Sequence, residues 1–175
     1  MFTHENVESV IFVCTGNTCR SPLAEVYFKS LIHCDTAGRG SNCKISSRGV
    51  RVRLNEDRVP SQSYHAVRKW FADGDAPANL SSETIETWMT NHRAQFLTGS
   101  DLYNSGVLVI CMTSDHMKIA KEQFPNCSNM RMLSHDGSDV ADPYRGSNEQ
   151  YEQTFAQIRR LCDDLWKQIR FSGKK

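Results

Sequence analysis

Two unbroken apolar runs, Val10–Val13 and Val107–Cys111, stand out from a chain whose other hydrophobic residues recur at helical spacing. Short runs without polar alternation are what strands buried on both faces of a parallel sheet require. Lys44–Ser47 and Arg131–Leu133 read as weaker strands. Between them the pattern predicts helices from Ser21 to about Leu31, over Pro60–Phe71, over Ser81–Met89 and over Ser114–Phe124. Pro22 suits a first helical turn, where the missing N–H is no loss, and Ser81 or Ser82 suits a cap. Asp73–Asn79 (DGDAPAN) is the sharpest breaker in the chain. The last helix, about Asn148–Ile169, has Tyr151, Phe155, Ile158, Leu161, Cys162, Leu165, Trp166 and Ile169 at three- and four-residue steps, a broad apolar stripe. Strands alternating with helices imply an α/β fold, a small parallel sheet covered on both faces.

Composition narrows this picture only slightly. The chain has 175 residues, enough for one full core, so residues 1–175 are read as a single domain. A net charge of +1 gives no reason to expect nucleic acid or a membrane surface as a partner. The N-terminal residues carry charge and no apolar core of a signal peptide, and no stretch approaches a membrane span. Seven cysteines without framework spacing read as reduced thiols of a cytoplasmic protein.

Chemistry enters where the first apolar run ends. Cys14 is followed by Thr15, Gly16, Asn17, Thr18 and Cys19, and then by Arg20, Ser21 and Pro22 at a helix start. Successive backbone N–H groups of such a loop converge on an anion, phosphate above all. The same positive field favours thiolate over thiol in a cysteine so placed. Ligands of open α/β sheets bind beyond the C-terminal strand ends, where Cys14 falls. Cys14 is thus expected to attack phosphorus, and Arg20 to hold two equatorial oxygens with its planar fork. Thr15 to Cys19 supply backbone donors, Gly16 and Asn17 tolerate the positive φ that a tight anion loop needs, and Ser21 donates to the Cys14 sulfur. A buried strand-end thiol is the alternative for Cys14 taken alone. For the leaving group's proton, Asp142, followed by Pro143 and Tyr144, is preferred, with Asp136 and Asp139 as rivals in the same loop.

Cys14 to Pro22, together with Asp142–Pro143–Tyr144 ahead of a long last helix, resembles the low-molecular-weight protein tyrosine phosphatase family. The resemblance runs in order along the whole chain. It implies a three-layer α/β/α fold with a four-stranded parallel sheet, and hydrolysis without metal or cofactor through a phosphocysteine. It implies phosphorylated protein side chains as substrates and phosphate-like oxyanions as inhibitors. It carries over Cys14 as nucleophile, Arg20 as phosphate clamp, Asn17 and Ser21 as supports, and Asp142 as general acid and then base. It also implies that Cys19 can close a protective disulfide with Cys14.

Within that family, Thr18 is informative. Tyrosine-directed members usually carry a bulky aliphatic residue there, whereas Cys14–Thr15–Gly16–Asn17–Thr18–Cys19–Arg20 is similar to the protein-arginine phosphatase branch, as are Met112–His116 and Asp139–Pro143. Phosphoarginine is therefore the favoured substrate and phosphotyrosine the alternative. Two other readings remain open at this point: a thioredoxin-coupled arsenate reductase relaying through Cys111 and Cys127, and a non-catalytic module that only binds phosphoanions. The chain also departs from the family pattern. Arg48 stands where alanine is typical and is expected to bring charge to the pocket rim. Arg51–Val59 brings Arg51, Arg53 and Arg58 and no aromatic wall. Residues 73–98 exceed the family's length by about a helix, and His92 and Arg93 within them read as a surface pair.

Overall fold

The computed structural model describes residues 4–171. Along the chain come β1 (His4–Val7), β2 (Ser9–Cys14), α1 (Arg20–Cys34), β3 (Lys44–Gly49), α2 (Ser61–Ala72), α3 (Ser82–Asn91), a 3-10 turn (Gly99–Leu102), β4 (Val107–Cys111), α4 (Ser114–Gln123), β5 (Met130–Met132), α5 (Asn148–Gln168) and β6 (Ile169–Phe171). Four strands form a parallel sheet in the order β3-β2-β4-β5. The expected α/β/α architecture follows from side-chain alternation along β2. Val10, Phe12 and Cys14 face one apolar cluster with α1, α2, α3 and α5, while Ile11 and Val13 face a second with α4. Tyr27, Trp70 and Phe155 pack edge to face where α1, α2 and α5 meet.

The register puts Cys14 beside Gly49 on β3, and Val13 beside Cys111 on β4. Register partners share a face, so Cys111 lies on the opposite side of the sheet from Cys14. The chain leaves β2 for β3 on one side and later returns to β4 on the other. That topological switch opens a crevice directly above Cys14.

Two features differ from the sequence reading. The last helix ends at Gln168, and the next three residues join β1 in a parallel pair, with His4 beside Ile169 and Val7 beside Phe171. Neither segment carries strand periodicity, because this pairing depends on where the two chain ends meet. α1 begins at Arg20 and runs on to Cys34, since no glycine or proline follows Pro22 until Gly38. No described helix is long and apolar enough to cross a membrane.

Candidate active site

Beyond Cys14 the loop is tied to its surroundings through carbonyl oxygens. Cys14 O accepts from Val50 N, Thr15 O from Arg51 N, Asn17 O from His92 Nε2 and Cys19 O from Leu23 N. Because a peptide is planar, each outward carbonyl turns the next residue's N–H the other way. The N–H groups of Thr15, Gly16, Thr18 and Arg20 therefore point away from these outer partners. The loop lies so close to β3 that a Cβ on Gly49 would meet Thr15 O at 2.6 Å, so only glycine fits there.

Asn17 locks this shape. It is fully buried and has φ of 57°, a left-handed conformation that asparagine tolerates better than most residues. Its Nδ2 donates to Ser21 Oγ at 3.0 Å and to Ser47 Oγ at 2.8 Å, and its Oδ1 accepts from Gln95 N at 2.9 Å. With Ser21 Oγ accepting from Asn17, its hydroxyl proton has two acceptors within reach, Cys14 Sγ at 3.0 Å and Arg48 O at 3.4 Å. Ser47 Oγ donates to Glu25 Oε2 at 2.6 Å, and Nδ1 of His92 lies 3.8 Å from the same oxygen. His92 must donate through Nε2, since a carbonyl only accepts, and burial lowers its pKa. It is thus a half-buried support of the loop and not half of a surface pair. Pattern reading missed it because α3 returns it to the loop from 75 residues away in sequence.

A second support comes from the other side of the sheet. Thr15 Oγ1 and His116 Nε2 lie 2.8 Å apart, with His116 buried in the first turn of α4. Burial, followed by the charge of Arg20, lowers the His116 pKa to about 4, so its ring is neutral at physiological pH.

Arg20 reaches into the hollow from the start of α1. Its side chain is 6% exposed, with Nη1 donating to Val140 O at 3.3 Å and Nη2 lying 2.9 Å from Asp142 Oδ2. Asp142 is 51% exposed at the pocket mouth, and its Oδ1 accepts from Tyr144 N at 3.2 Å. The left-handed Arg145 completes a tight turn in which Gly146 N donates to Pro143 O at 2.7 Å. The rivals are engaged elsewhere. Asp139 Oδ1 accepts from Ser114 N at 2.7 Å, and Asp136 binds Ser134 and Ser138, which hold its carboxyl far below the usual range. Of the three aspartates, only Asp142 lines the pocket.

Cys14, Thr15, Gly16, Thr18, Cys19, Arg20 and Asp142 line one cavity, whose lip is formed by Arg51, Arg53, Glu56 and Tyr144. The structure thus gathers the residues expected to act, and Tyr144 supplies the aromatic wall that the Arg51–Val59 loop lacks. Arg48 does not reach this rim. Asp101 in the 3-10 turn takes its guanidinium at 3.0 and 2.8 Å, an acceptor no local pattern announces. Cys19 Sγ lies 3.2 Å from Tyr151 Oη, and burial raises the pKa of its thiol. All seven cysteines are free.

A thiol at a strand end, loop N–H groups turned away from the loop's outer partners, a buried guanidinium and a carboxylate at the mouth can receive a phosphoryl group and protonate what leaves. Comparison with known proteins agrees. Residues 9–175 match the family model described as low molecular weight phosphotyrosine protein phosphatase. The chain is 33% identical to a protein-arginine-phosphatase of Bacillus subtilis (strain 168), over 92% of this chain and 96% of the relative. It is 31% identical to the low molecular weight protein-tyrosine-phosphatase PtpB of Staphylococcus epidermidis, over 89% and 95%. The crystal structure of a YwlE mutant from Bacillus subtilis superimposes with a TM-score of 0.72 at 30% identity, covering 91% of this chain and 97% of that one. This chain belongs to the low molecular weight phosphotyrosine protein phosphatase family.

Proposed function

We propose that this member of the family removes the phosphoryl group from phosphoarginine in proteins, by way of a phosphocysteine on Cys14. In the first step Cys14 Sγ attacks phosphorus, an S–P bond forms, the P–N bond breaks, and Asp142 gives a proton to the departing nitrogen. Arg20 and the N–H groups of the loop hold the phosphoryl oxygens as charge moves onto them. In the second step Asp142 takes a proton from water, whose oxygen displaces sulfur and releases inorganic phosphate. Ser21 donates to the sulfur as it regains its charge.

The observation that carries phosphoarginine is Thr18 in the wall of the pocket that Asp142 also lines. A small hydroxyl residue gives a phenyl ring little apolar surface, while a carboxylate at the mouth suits a cationic leaving group. The likeness to the Bacillus subtilis arginine phosphatase supports the same reading. The Tyr144 ring favours the second reading, phosphotyrosine, since it offers a face on which a phenyl group can stack. Arsenate reduction by disulfide relay is disfavoured, because Cys111 lies across the sheet from Cys14 and burial holds its pKa at about 12.

The proposal extends to the rest of the chain. Residues 73–98 act as an insertion within one domain, packing α3 on α1 and returning His92 and Gln95 to brace the loop. The free thiols suit a reducing, cytoplasmic setting, and Cys19 is the partner for a disulfide with Cys14 under oxidation. Phosphorylated proteins are the substrates, and vanadate and phosphate compete for the loop.

The test is a comparison of kcat/KM on phosphoarginine and phosphotyrosine in one peptide context, for wild type and Thr18→Ile. Wild type should prefer phosphoarginine, and the variant should swing toward phosphotyrosine. A wild type that prefers phosphotyrosine, little changed by Thr18→Ile, makes the second reading the correct one.

A further inference from the structure

The cavity that holds the phosphate loop has a second carboxylate, Glu56, at its lip. Its Oε2 accepts from Tyr144 Oη at 2.8 Å, and its Oε1 lies 3.4 Å from Arg53 Nη1. Arg53 Nη1 also donates to Tyr144 Oη at 3.1 Å, and its guanidinium carbon lies 5.8 Å from the centre of the Tyr144 ring. Arg145 places a second guanidinium 5.1 Å from that ring. Two of the chain's own guanidinium groups thus gather around Tyr144, and one of them is bonded to Glu56. Arg53 is 60% exposed, and so loose a surface pair contributes little and exchanges readily.

We infer that Glu56 and the ring of Tyr144 form the seat for the substrate's guanidino group, a seat that Arg53 fills in the free protein. This rests on the phosphoarginine reading and names the residue that enforces it. The chemistry requires a second acceptor. The bridging nitrogen of phosphoarginine takes its proton from Asp142, and until that proton has moved the Asp142 carboxyl carries no charge with which to meet the cation. The two remaining guanidino nitrogens keep N–H donors that need partners in a pocket lined by Arg20, Arg51 and backbone donors. Each carboxylate oxygen offers about two lone-pair sites, so Glu56 retains acceptor capacity beside Tyr144. The Tyr144 hydroxyl, with Arg53 nearby, holds the Glu56 carboxyl below its usual range and keeps it charged at neutral pH. A phosphotyrosine dianion brings no cation to this seat, and the Glu56 charge only opposes it.

The experiment compares wild type, Glu56→Gln and Glu56→Asp on phosphoarginine and phosphotyrosine in the same peptide, with thermal melts to confirm folding. For Glu56→Gln the expected result is a loss of about tenfold or more in kcat/KM on phosphoarginine, mostly through KM, with phosphotyrosine changed by about twofold at most. Glu56→Asp should restore part of the selectivity. The unphosphorylated arginine peptide should also inhibit aryl phosphate hydrolysis by wild type more strongly than by Glu56→Gln. Equal losses on both substrates would reduce Glu56 to a strut for Tyr144 and Arg53, and would overturn the seat alone. A wild type inactive on phosphoarginine would overturn the functional reading together with the seat.

Discussion

Asn17, at the floor of the pocket, is fully buried and has a partner for each polar function of its amide, whereas Glu56, at the lip, shares a carboxylate between a tyrosine hydroxyl and an exposed arginine. Both regions are polar networks of similar size, but they are built for different ends. A buried and fully satisfied network is stiff, because any rearrangement leaves a polar group unpaired at about 1–3 kcal/mol each. An exposed pair is exchangeable, because water or an incoming ligand replaces either partner at little cost. Under the proposed function, the floor fixes where phosphorus, sulfur and guanidinium sit, and the lip is left to read the leaving group. Asp142 belongs to both, with one oxygen on the buried Arg20 and half of its surface in solvent.

Removing Asp142 tests that double membership most severely. Asp142→Ala should lower kcat on phosphoarginine peptides by roughly 10²–10⁴-fold. The loss should be smaller on aryl phosphates with good leaving groups, which need less help from an acid. Asp136→Ala and Asp139→Ala should stay within a few-fold of wild type, and steady-state kinetics across a leaving-group series separates these outcomes. Should Asp139→Ala produce the large loss, the acid has been misassigned and the floor–lip division fails with it.

Stability separates the two regions next. Asn17→Ala removes three hydrogen bonds and leaves alanine at positive φ, so denaturant unfolding should show a loss of roughly 3–5 kcal/mol. Asn17→Gly keeps the hydrogen-bond loss and relieves the backbone, so it should recover about 1 kcal/mol of that. No such stability loss is expected at Glu56. If Glu56→Gln destabilises the protein as much as Asn17→Gly does, the lip is as structural as the floor.

A pH window gives the smallest effect. The His116 ring resists protonation in the folded protein down to about pH 4, while the unfolded chain takes up the proton near 6.5. The unfolded state therefore binds more protons between these values, and stability is full above 6.5 and falls as the pH drops toward 4. The contribution is at most about 3 kcal/mol. Urea melts of wild type against His116→Gln should show that slope flatten in the variant. An unchanged slope would mean that other groups set the acid limit.

How much of this could be read from residue order follows the same division. Cys14 to Pro22 is contiguous, and strand, loop and helix start each have a local cause, so the floor's inner ring was legible. Asp142 was separable from Asp136 and Asp139 only weakly in sequence, whereas in space hydrogen bonds hold the rivals to Ser114, Ser134 and Ser138, and only Asp142 lines the pocket. The outer supports were not legible. Ser47, His116 and the pair His92 and Gln95 come from three distant segments, Glu25 from farther along α1, and none of them stands out in isolation. Arg48 misled for the same reason, since Asp101, which captures it, lies 53 residues away. The pairing of β1 with β6 likewise has no local cause.

The most direct measurement is rapid-quench mass spectrometry on the protein during turnover of a phosphoarginine peptide. A phosphoryl group on the peptide containing Cys14, forming and decaying at rates consistent with kcat and absent from Cys14→Ser, is the expected result. Turnover with no phosphoryl group on Cys14, or with Cys14→Ser still active, would contradict it.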